Sequence, residues 1–152
     1  MIGRGSDSDY PRYYHELDLG PHPALFAATI SNPNDNCTEI QDYYLQCNTL
    51  GMAWEAHQGN TLLNKDGWWA VMIISFDFLA SVPAQSDSLR QSHHEIRSNR
   101  GTYLATTWRA NFYRVDSPKD SGRLEYSSWQ PTDMVPPCFH VPSKFGVLNI
   151  TN

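Results

Sequence analysis

The feature that most constrains this chain is an apolar run from Gly67 to Ala80. Every even-numbered position in the run is apolar, whereas the odd-numbered positions turn polar at Ser75 and Asp77. Because alternate side chains of a β-strand point to opposite faces, we expect a long strand, buried on both faces at its start and on one face at its end. A helix is the alternative for so short a run, but its tryptophan, phenylalanine and β-branched residues favour a strand. The run is too short to span a membrane, and Asp77 interrupts it.

Upstream of this run, the spacing predicts helices. Thr38 to Gln41 has the form of a capping box, with a hydroxyl at the cap and Gln three residues later. Apolar and aromatic residues then recur at helical spacing, which predicts an amphipathic helix over residues 39–50; they are Ile40, Tyr43, Tyr44 and Cys47. A short helix is predicted over Tyr10–Leu17, and Ala24–Ile30 fits either a strand or a helix.

The other elements are predicted to be strands. Met52–Gln58 precedes the apolar run, and Thr102–Val115 alternates as a half-buried antiparallel strand does. A turn-rich stretch from Asp116 to Gly122 predicts a hairpin, with Arg123–Trp129 as the returning strand. Helices followed by hairpins predict an α+β fold in which N-terminal helices cover a curved antiparallel sheet.

Composition narrows the classes of function. A net charge of −5, with eleven scattered lysines and arginines, argues against a nucleic-acid-binding surface. Three cysteines form an odd count without metal-type spacing, so we expect free thiols in a reducing compartment. The first nine residues lack the apolar core of a signal peptide, and the protein is therefore predicted to be cytoplasmic. Two sequons, at Asn36 and Asn149, would matter only in a secreted protein.

One stretch resembles a known family. Ala110 to Asp116, the following turn, and Gly122 to Trp129 look like the last hairpin of SnoaL-like polyketide cyclases. The resemblance covers residues 38–133 and implies a single domain over residues 1–152, with a poorly defined segment at 1–37. It implies a cone-shaped α+β fold of the nuclear transport factor two superfamily, which includes both enzymes and non-enzymes. The implied activity is cofactor-independent acid/base cyclisation, isomerisation or dehydration of a hydrophobic polyketide-like or terpenoid-like molecule.

Candidate site residues follow from that chemistry. Asp133 is the first carboxylate after Trp129, and His93 and His94 could supply a base, so these three are the predicted catalytic residues. Asp133 could instead begin a turn, and the histidine pair could be solvated. The predicted substrate-binding residues are aromatic or apolar and would line the cone; they are Tyr44, Trp54, Met72, Phe76, Trp108, Phe112 and Tyr126.

Other possibilities remain open at this stage. Four residues of metal-binding type, His93, His94, Glu95 and His140, lack the His-x-His spacing, so we expect no metal and no cofactor. A non-catalytic module that binds a small ligand or dimerises is the alternative function. We also expect a homodimer formed through the odd-numbered face of residues 103–115, and neither nucleic acid nor a membrane as a partner.

Overall fold

The computed structural model describes residues 1–5, 9–22, 24–40, 42–45, 52–58, 68–81, 106–117 and 122–150. The elements in these residues are β1 (Ile2–Arg4), β2 (Tyr13–Leu19), β3 (Leu25–Ser31), β4 (Asp42–Leu45), β5 (Met52–Gln58), β6 (Trp68–Ile74), helix α1 (Phe76–Ala80), β7 (Thr106–Ala110), β8 (Tyr113–Asp116), β9 (Glu125–Ser128), a 3₁₀ turn (Pro142–Lys144) and β10 (Gly146–Ile150).

Six of these strands form one sheet, in the order β10-β7-β1-β2-β3-β4, and every recorded pairing is antiparallel. The longest ladder of this sheet joins β2 to β3, from Tyr13 opposite Ser31 to Leu19 opposite Leu25. Two further pairs, β5 with β6 and β8 with β9, form separate two-stranded sheets. The strands β1, β7 and β10 are therefore neighbours in this sheet, although they are far apart in the sequence.

The two faces of the large sheet are covered differently. We call one the Trp108 face; its members are Ile2, His15, Leu17, Trp108 and Leu148, which the register places on one side. It packs against Phe78 and Leu79 of α1, and against Met52 and Ile74 at one end of the β5–β6 hairpin. Removing this apolar surface from water supplies much of the driving force for folding.

We call the opposite side the Tyr14 face; its members are Tyr14, Glu16, Ala28 and Ile30. We call residues 129–145, between β9 and β10, the C-terminal segment. Its Phe145 packs on the Tyr14 face, and the centroid of the Phe145 ring lies 5.3 Å from that of Tyr14, edge to face. A disulfide joins Cys37 to Cys138 and fixes the same segment beside β3. The C-terminal segment therefore covers this face with little regular structure of its own.

The predicted α+β class is wrong, because the described N-terminal part consists of strands. Tyr10–Leu17 was expected to be helical, yet β2 occupies Tyr13–Leu19, and β3 follows at once. Within the predicted helix 39–50, residues Asp42–Leu45 form β4. Pairing with the open edge of β3 supplies backbone hydrogen bonds there, and the adjacent tyrosines suit a strand as well as a helix. Among the described residues no N-terminal helix covers the sheet, and the α-helix that packs on it is α1, five residues long and later in the chain.

The first part of the apolar run is a strand, whereas its second part is a helix, and the predicted burial of the strand is wrong. β6 covers Trp68–Ile74, and its first four residues are exposed. Ser75 then ends the strand: its hydroxyl accepts a hydrogen bond from the Phe78 amide at 3.2 Å and caps α1. The polar positions at Ser75 and Asp77, interpreted as one wet face of a strand, mark the start of a five-residue helix.

Other strand predictions fare better. β5 matches its predicted bounds, and β8 and β9 form the predicted antiparallel hairpin, with Gly122 at φ +60° in its connection. The described part of the predicted strand Thr102–Val115 divides into β7 and β8 around Asn111, whose side-chain oxygen accepts from the Phe112 and Gln130 amides. Residues 102–105 lie outside the described residues. Among the described residues, no helix has the length and apolar character needed to cross a membrane.

Candidate functional site

A buried polar cluster lies where the C-terminal segment crosses the Tyr14 face. The Asn32 amide donates to the Tyr14 hydroxyl at 3.5 Å and to the His140 carbonyl at 3.1 Å. The Tyr14 hydroxyl lies 2.9 Å from Nδ1 of His140, and Nε2 of His140 lies 3.7 Å from Oε1 of Glu16. This geometry fits a neutral imidazole protonated on Nε2, because the tyrosine hydroxyl can then donate to Nδ1.

Burial decides the protonation states in this cluster. It lowers the pKa of His140 below the ordinary value, although the Asp18 carboxylate acts in the opposite direction. It also raises the pKa of Tyr14 well above the usual range, so the phenol keeps its proton. The His140 side chain is 21% exposed and that of Glu16 is 10% exposed. The cluster is therefore mostly closed to water, with the imidazole as its most accessible member.

The contacts of this cluster connect separate parts of the chain. Tyr14 and Glu16 belong to β2, Asn32 follows β3, and His140 belongs to the C-terminal segment, which the Cys37–Cys138 disulfide ties down next to it. Its hydrogen bonds join β2 and the residue after β3 to the C-terminal segment. The cluster is thus built to hold the C-terminal segment on the sheet.

The disulfide corrects one prediction. Cys37 and Cys138 were expected to be free thiols, but they are bonded to each other across a separation of 101 residues. Spacing alone cannot show such a pair, because the two cysteines meet only when β3 and the C-terminal segment are in place. Among the described residues, no group of three or more His, Cys, Asp or Glu side chains could hold a metal ion.

A second buried histidine lies on the Trp108 face. Nε2 of His15 donates to the Phe78 carbonyl at 3.0 Å, and its Nδ1 lies 3.2 Å from the Thr29 hydroxyl. Burial lowers the pKa of His15, and backbone carbonyls including that of Phe78 oppose the change. Because these partners are a carbonyl and a hydroxyl, the histidine serves to fix α1 against the sheet.

The β5–β6 hairpin presents the other candidate surface. Its even-numbered face is apolar except for Gln58, and it ends at Met52 and Ile74, which pack against the core. Its half-buried members further out are Trp54, Ala56 and Met72, whereas Trp68 and Ala70 are exposed. The odd-numbered face carries Glu55 and His57 and is exposed throughout. Trp68, at the far end of the even face, is 38% exposed. The even face is therefore an apolar wall that continues outward from the core.

The predicted catalytic residues are not brought together in the described structure. Asp133 lies on the surface with 68% of its side chain exposed, and its carboxylate accepts a hydrogen bond from Lys144 Nζ at 2.8 Å. His93 and His94 lie outside the described residues. The catalytic assignment thus stays a prediction.

The predicted substrate-binding residues are spread over several elements. Trp54 and Met72 face each other across the β5–β6 ladder, and Trp108 is 2% exposed in the neighbouring core, as its predicted burial requires. Phe76 begins α1, and Tyr44 lies on β4 opposite Thr29. Phe112 and Tyr126 are largely exposed beside the β8–β9 hairpin, with Phe112 61% exposed. Phe112 was expected to share a buried face with Trp108, but β7 ends before it.

Sequence reasoning missed the residues that carry the buried polar contacts. Tyr14, His15 and Glu16 were assigned to a short helix, which hides their alternation between two faces. Interpreted as a strand, the same stretch places Tyr14 and Glu16 on one side and His15 on the other. No local signal connects His140 to them. Comparison of the chain with protein-family models, curated proteins and solved structures gives no match.

Proposed function

We propose that this protein binds an apolar small molecule against the even-numbered face of the β5–β6 hairpin. The observation that carries the proposal is the row of apolar side chains on that face, half-buried near the core cluster around Trp108 and exposed at Ala70 and Trp68. Small-molecule sites are mostly apolar, with aromatic side chains and few polar groups. Trp54, Trp68 and Met72 provide such a lining, and the flexible thioether of Met72 adapts to ligands of different shape.

Buried titratable groups of the described structure support binding over catalysis. His15 is held by a carbonyl and a hydroxyl, and His140 joins Tyr14 and Glu16 in fastening the C-terminal segment. Acid/base catalysis needs titratable groups within reach of a substrate. The cyclase-like enzyme suggested by the family resemblance stays a prediction, and the strand-rich N-terminal part removes the fold expectation behind it.

The compartment is part of this proposal. Disulfides persist in oxidising environments and are rare in reducing ones, so the Cys37–Cys138 bond favours an oxidising compartment. The cytoplasmic location expected from the sequence stays a prediction, and the disulfide weighs against it.

The predicted homodimer also stays a prediction, but three side chains of its expected surface contact the C-terminal segment of the same chain. Arg109 donates to the Ser143 carbonyl at 3.2 Å, Asn111 donates to the Gln130 carbonyl at 2.9 Å, and the Tyr113 hydroxyl donates to the Phe139 carbonyl at 2.9 Å. These contacts leave less of that face free for a partner, although Val115 is 51% exposed.

The binding proposal is tested with N-phenyl-1-naphthylamine, a neutral apolar fluorophore. We expect the wild-type protein to bind it saturably. Met72→Gln should weaken binding by roughly tenfold or more, because an amide placed in an apolar site without a partner costs about 1–3 kcal/mol.

Val71→Gln is the matched control, because Val71 neighbours Met72 on β6 but lies on the exposed odd-numbered face. Its affinity should stay within about twofold of the wild-type value. Circular dichroism confirms that both variants are folded. Absence of saturable binding by the wild type, or equal losses in the two variants, would contradict the proposal.

A further inference from the structure

The sequence contains two N-glycosylation sequons that ligand binding does not explain. One is Asn36–Thr38, in the turn-rich loop between β3 and β4, and the other is Asn149–Thr151, which starts on β10. Such a triplet becomes glycosylated only in a secreted protein. The first sequon contains Cys37, which forms the disulfide with Cys138. The residue that favours an oxidising compartment therefore lies inside the sequon itself.

The Asn36 side chain is held by its oxygen, which leaves its nitrogen available. Oδ1 of Asn36 accepts hydrogen bonds from the Thr38 amide and from the Thr38 hydroxyl, each at 3.0 Å. Nδ2 of Asn36 is neither hydrogen-bonded within the described ranges nor buried. Because an N-glycan is attached through Nδ2, it would extend into solvent and leave both hydrogen bonds of Oδ1 in place.

The second sequon is less completely defined by the structure. Asn149 is exposed on β10, an edge strand of the large sheet, and its Oδ1 accepts from the Thr107 hydroxyl at 3.2 Å. Thr151, which supplies the hydroxyl of this sequon, lies outside the described residues. The contacts within the triplet therefore favour Asn36 as the acceptor.

The order of synthesis lets a glycan and the disulfide occupy the same loop. Cys138 follows Cys37 by 101 residues. At a synthesis rate of about 5–20 residues per second, Cys138 appears about 5–20 s after Cys37. During this interval the bond to Cys138 cannot form, so the sequon is not yet constrained by it. Glycan transfer to Asn36 can thus precede closure of the disulfide.

We propose that Asn36 is an N-glycosylation site. Nδ2 of Asn36 attacks the anomeric carbon of an oligosaccharide that is carried on a lipid diphosphate. A carbon–nitrogen bond forms, the bond from the anomeric carbon to the diphosphate oxygen breaks, Nδ2 gives one proton to the transferase, and the lipid diphosphate leaves. This inference goes beyond ligand binding and rests on the proposed function only for its oxidising compartment.

The test directs the full chain into the secretory pathway of mammalian cells behind a cleavable secretion signal. Peptide-N-glycosidase F in H₂¹⁸O then converts each glycosylated Asn to Asp that carries ¹⁸O. Mass spectrometry of proteolytic peptides locates this label, and unreduced peptides show whether Cys37 and Cys138 are bonded. We expect the label at Asn36 in most of the disulfide-bonded chains.

Three variants separate the sequon from its surroundings. Thr38→Ala should abolish the label while it keeps Asn36, whereas Thr38→Ser should retain the label because it keeps a hydroxyl. Asn34→Gln is the matched control, since Asn34 is exposed two residues before Asn36 and is not followed by Ser or Thr at the second position. It should leave the label unchanged. Cell extracts are analysed beside the medium, so a variant that is not released still gives a result.

The possible outcomes distinguish this inference from the proposed function. Disulfide-bonded chains without a label at Asn36 would overturn the assignment, and so would a label at Asn149 alone or a label that persists in Thr38→Ala. Chains that lack the Cys37–Cys138 bond would overturn the compartment on which the inference rests. Titration of unglycosylated protein with N-phenyl-1-naphthylamine tests ligand binding separately, so that either proposal can fail alone.

Discussion

His15 is a buried residue of β2 on one face of the large sheet, and His140 is half-buried against the opposite face of the same strand. His15 lies on the Trp108 face, where its partners are a backbone carbonyl and hydroxyl groups. His140 covers the Tyr14 face, where its partners are a phenol and a carboxylate. One face is closed by apolar packing with a polar group fitted into it, and the other by a polar cluster that attaches an irregular segment.

This difference in partners explains how both faces of the six-stranded sheet are covered. On the Trp108 face, α1 and the β5–β6 hairpin supply apolar side chains of their own. The C-terminal segment supplies Phe145 to the other face, and the remaining attachment comes from hydrogen bonds and the disulfide. Apolar packing should therefore dominate the stability of the first face, and cross-links that of the second.

The largest expected effect tests packing on the Trp108 face. Trp108→Ala should lower the free energy of unfolding by about 3–5 kcal/mol, because it leaves a large cavity in the core. Trp69→Ala is the control, since Trp69 is exposed on β6 and stacks only on His57 among the described side chains; its cost should stay below about 1 kcal/mol. Urea unfolding measures both. Equal losses would show that Trp108 is not a core residue.

The next effect tests the cross-link on the Tyr14 face. Replacing Cys37 and Cys138 together by Ala should lower the free energy of unfolding by about 2–4 kcal/mol, because the disulfide closes a loop of 101 residues. Dithiothreitol should destabilise the wild type by a similar amount and leave the double variant unaffected. A wild type that is indifferent to the reductant would show that this bond does not hold the segment.

The smallest effect compares the histidines directly. Burial lowers both pKa values, so the unfolded chain binds more protons than the folded one as pH falls below the ordinary histidine value of about 6.5. Stability should therefore fall between pH 7 and pH 5. Glu16 and Asp18 offset the charge on His140, whereas the described partners of His15 are uncharged.

His15→Gln should accordingly flatten the dependence of the urea midpoint on pH more than His140→Gln does. Measurement of both variants across this pH range checks the order. A larger flattening by His140→Gln would reverse the comparison between the faces.

Local patterns predicted some elements correctly because their determinants are local. The bounds of β5 and the turn before β9 follow from alternation and from Gly122. β4 could not be predicted in this way, because Tyr43 and Tyr44 fit helical spacing and only the edge of β3 makes the strand favourable. The exposure of the first residues of β6 was not predicted for the same reason, because apolar side chains alone do not show whether another layer covers a strand.

The site shows the same limit. Trp54 and Met72 were predicted to bind ligand, and the structure places them opposite each other on one wall. The contacts of His15 and His140 were not predicted, because they depend on Phe78 and Tyr14, far away in the sequence. Pairings of this kind follow from strand order rather than from spacing.

The most direct test of the binding account uses the four methionines as site-specific probes. Methyl resonances of [methyl-¹³C]methionine protein are recorded while N-phenyl-1-naphthylamine is added, and single substitutions assign them. We predict that the Met72 resonance shifts saturably, with a smaller shift at Met52, because aromatic ring currents act over short distances. Met134, exposed after β9, should not move. A shift at Met134 with Met72 unmoved would contradict binding at the β5–β6 hairpin.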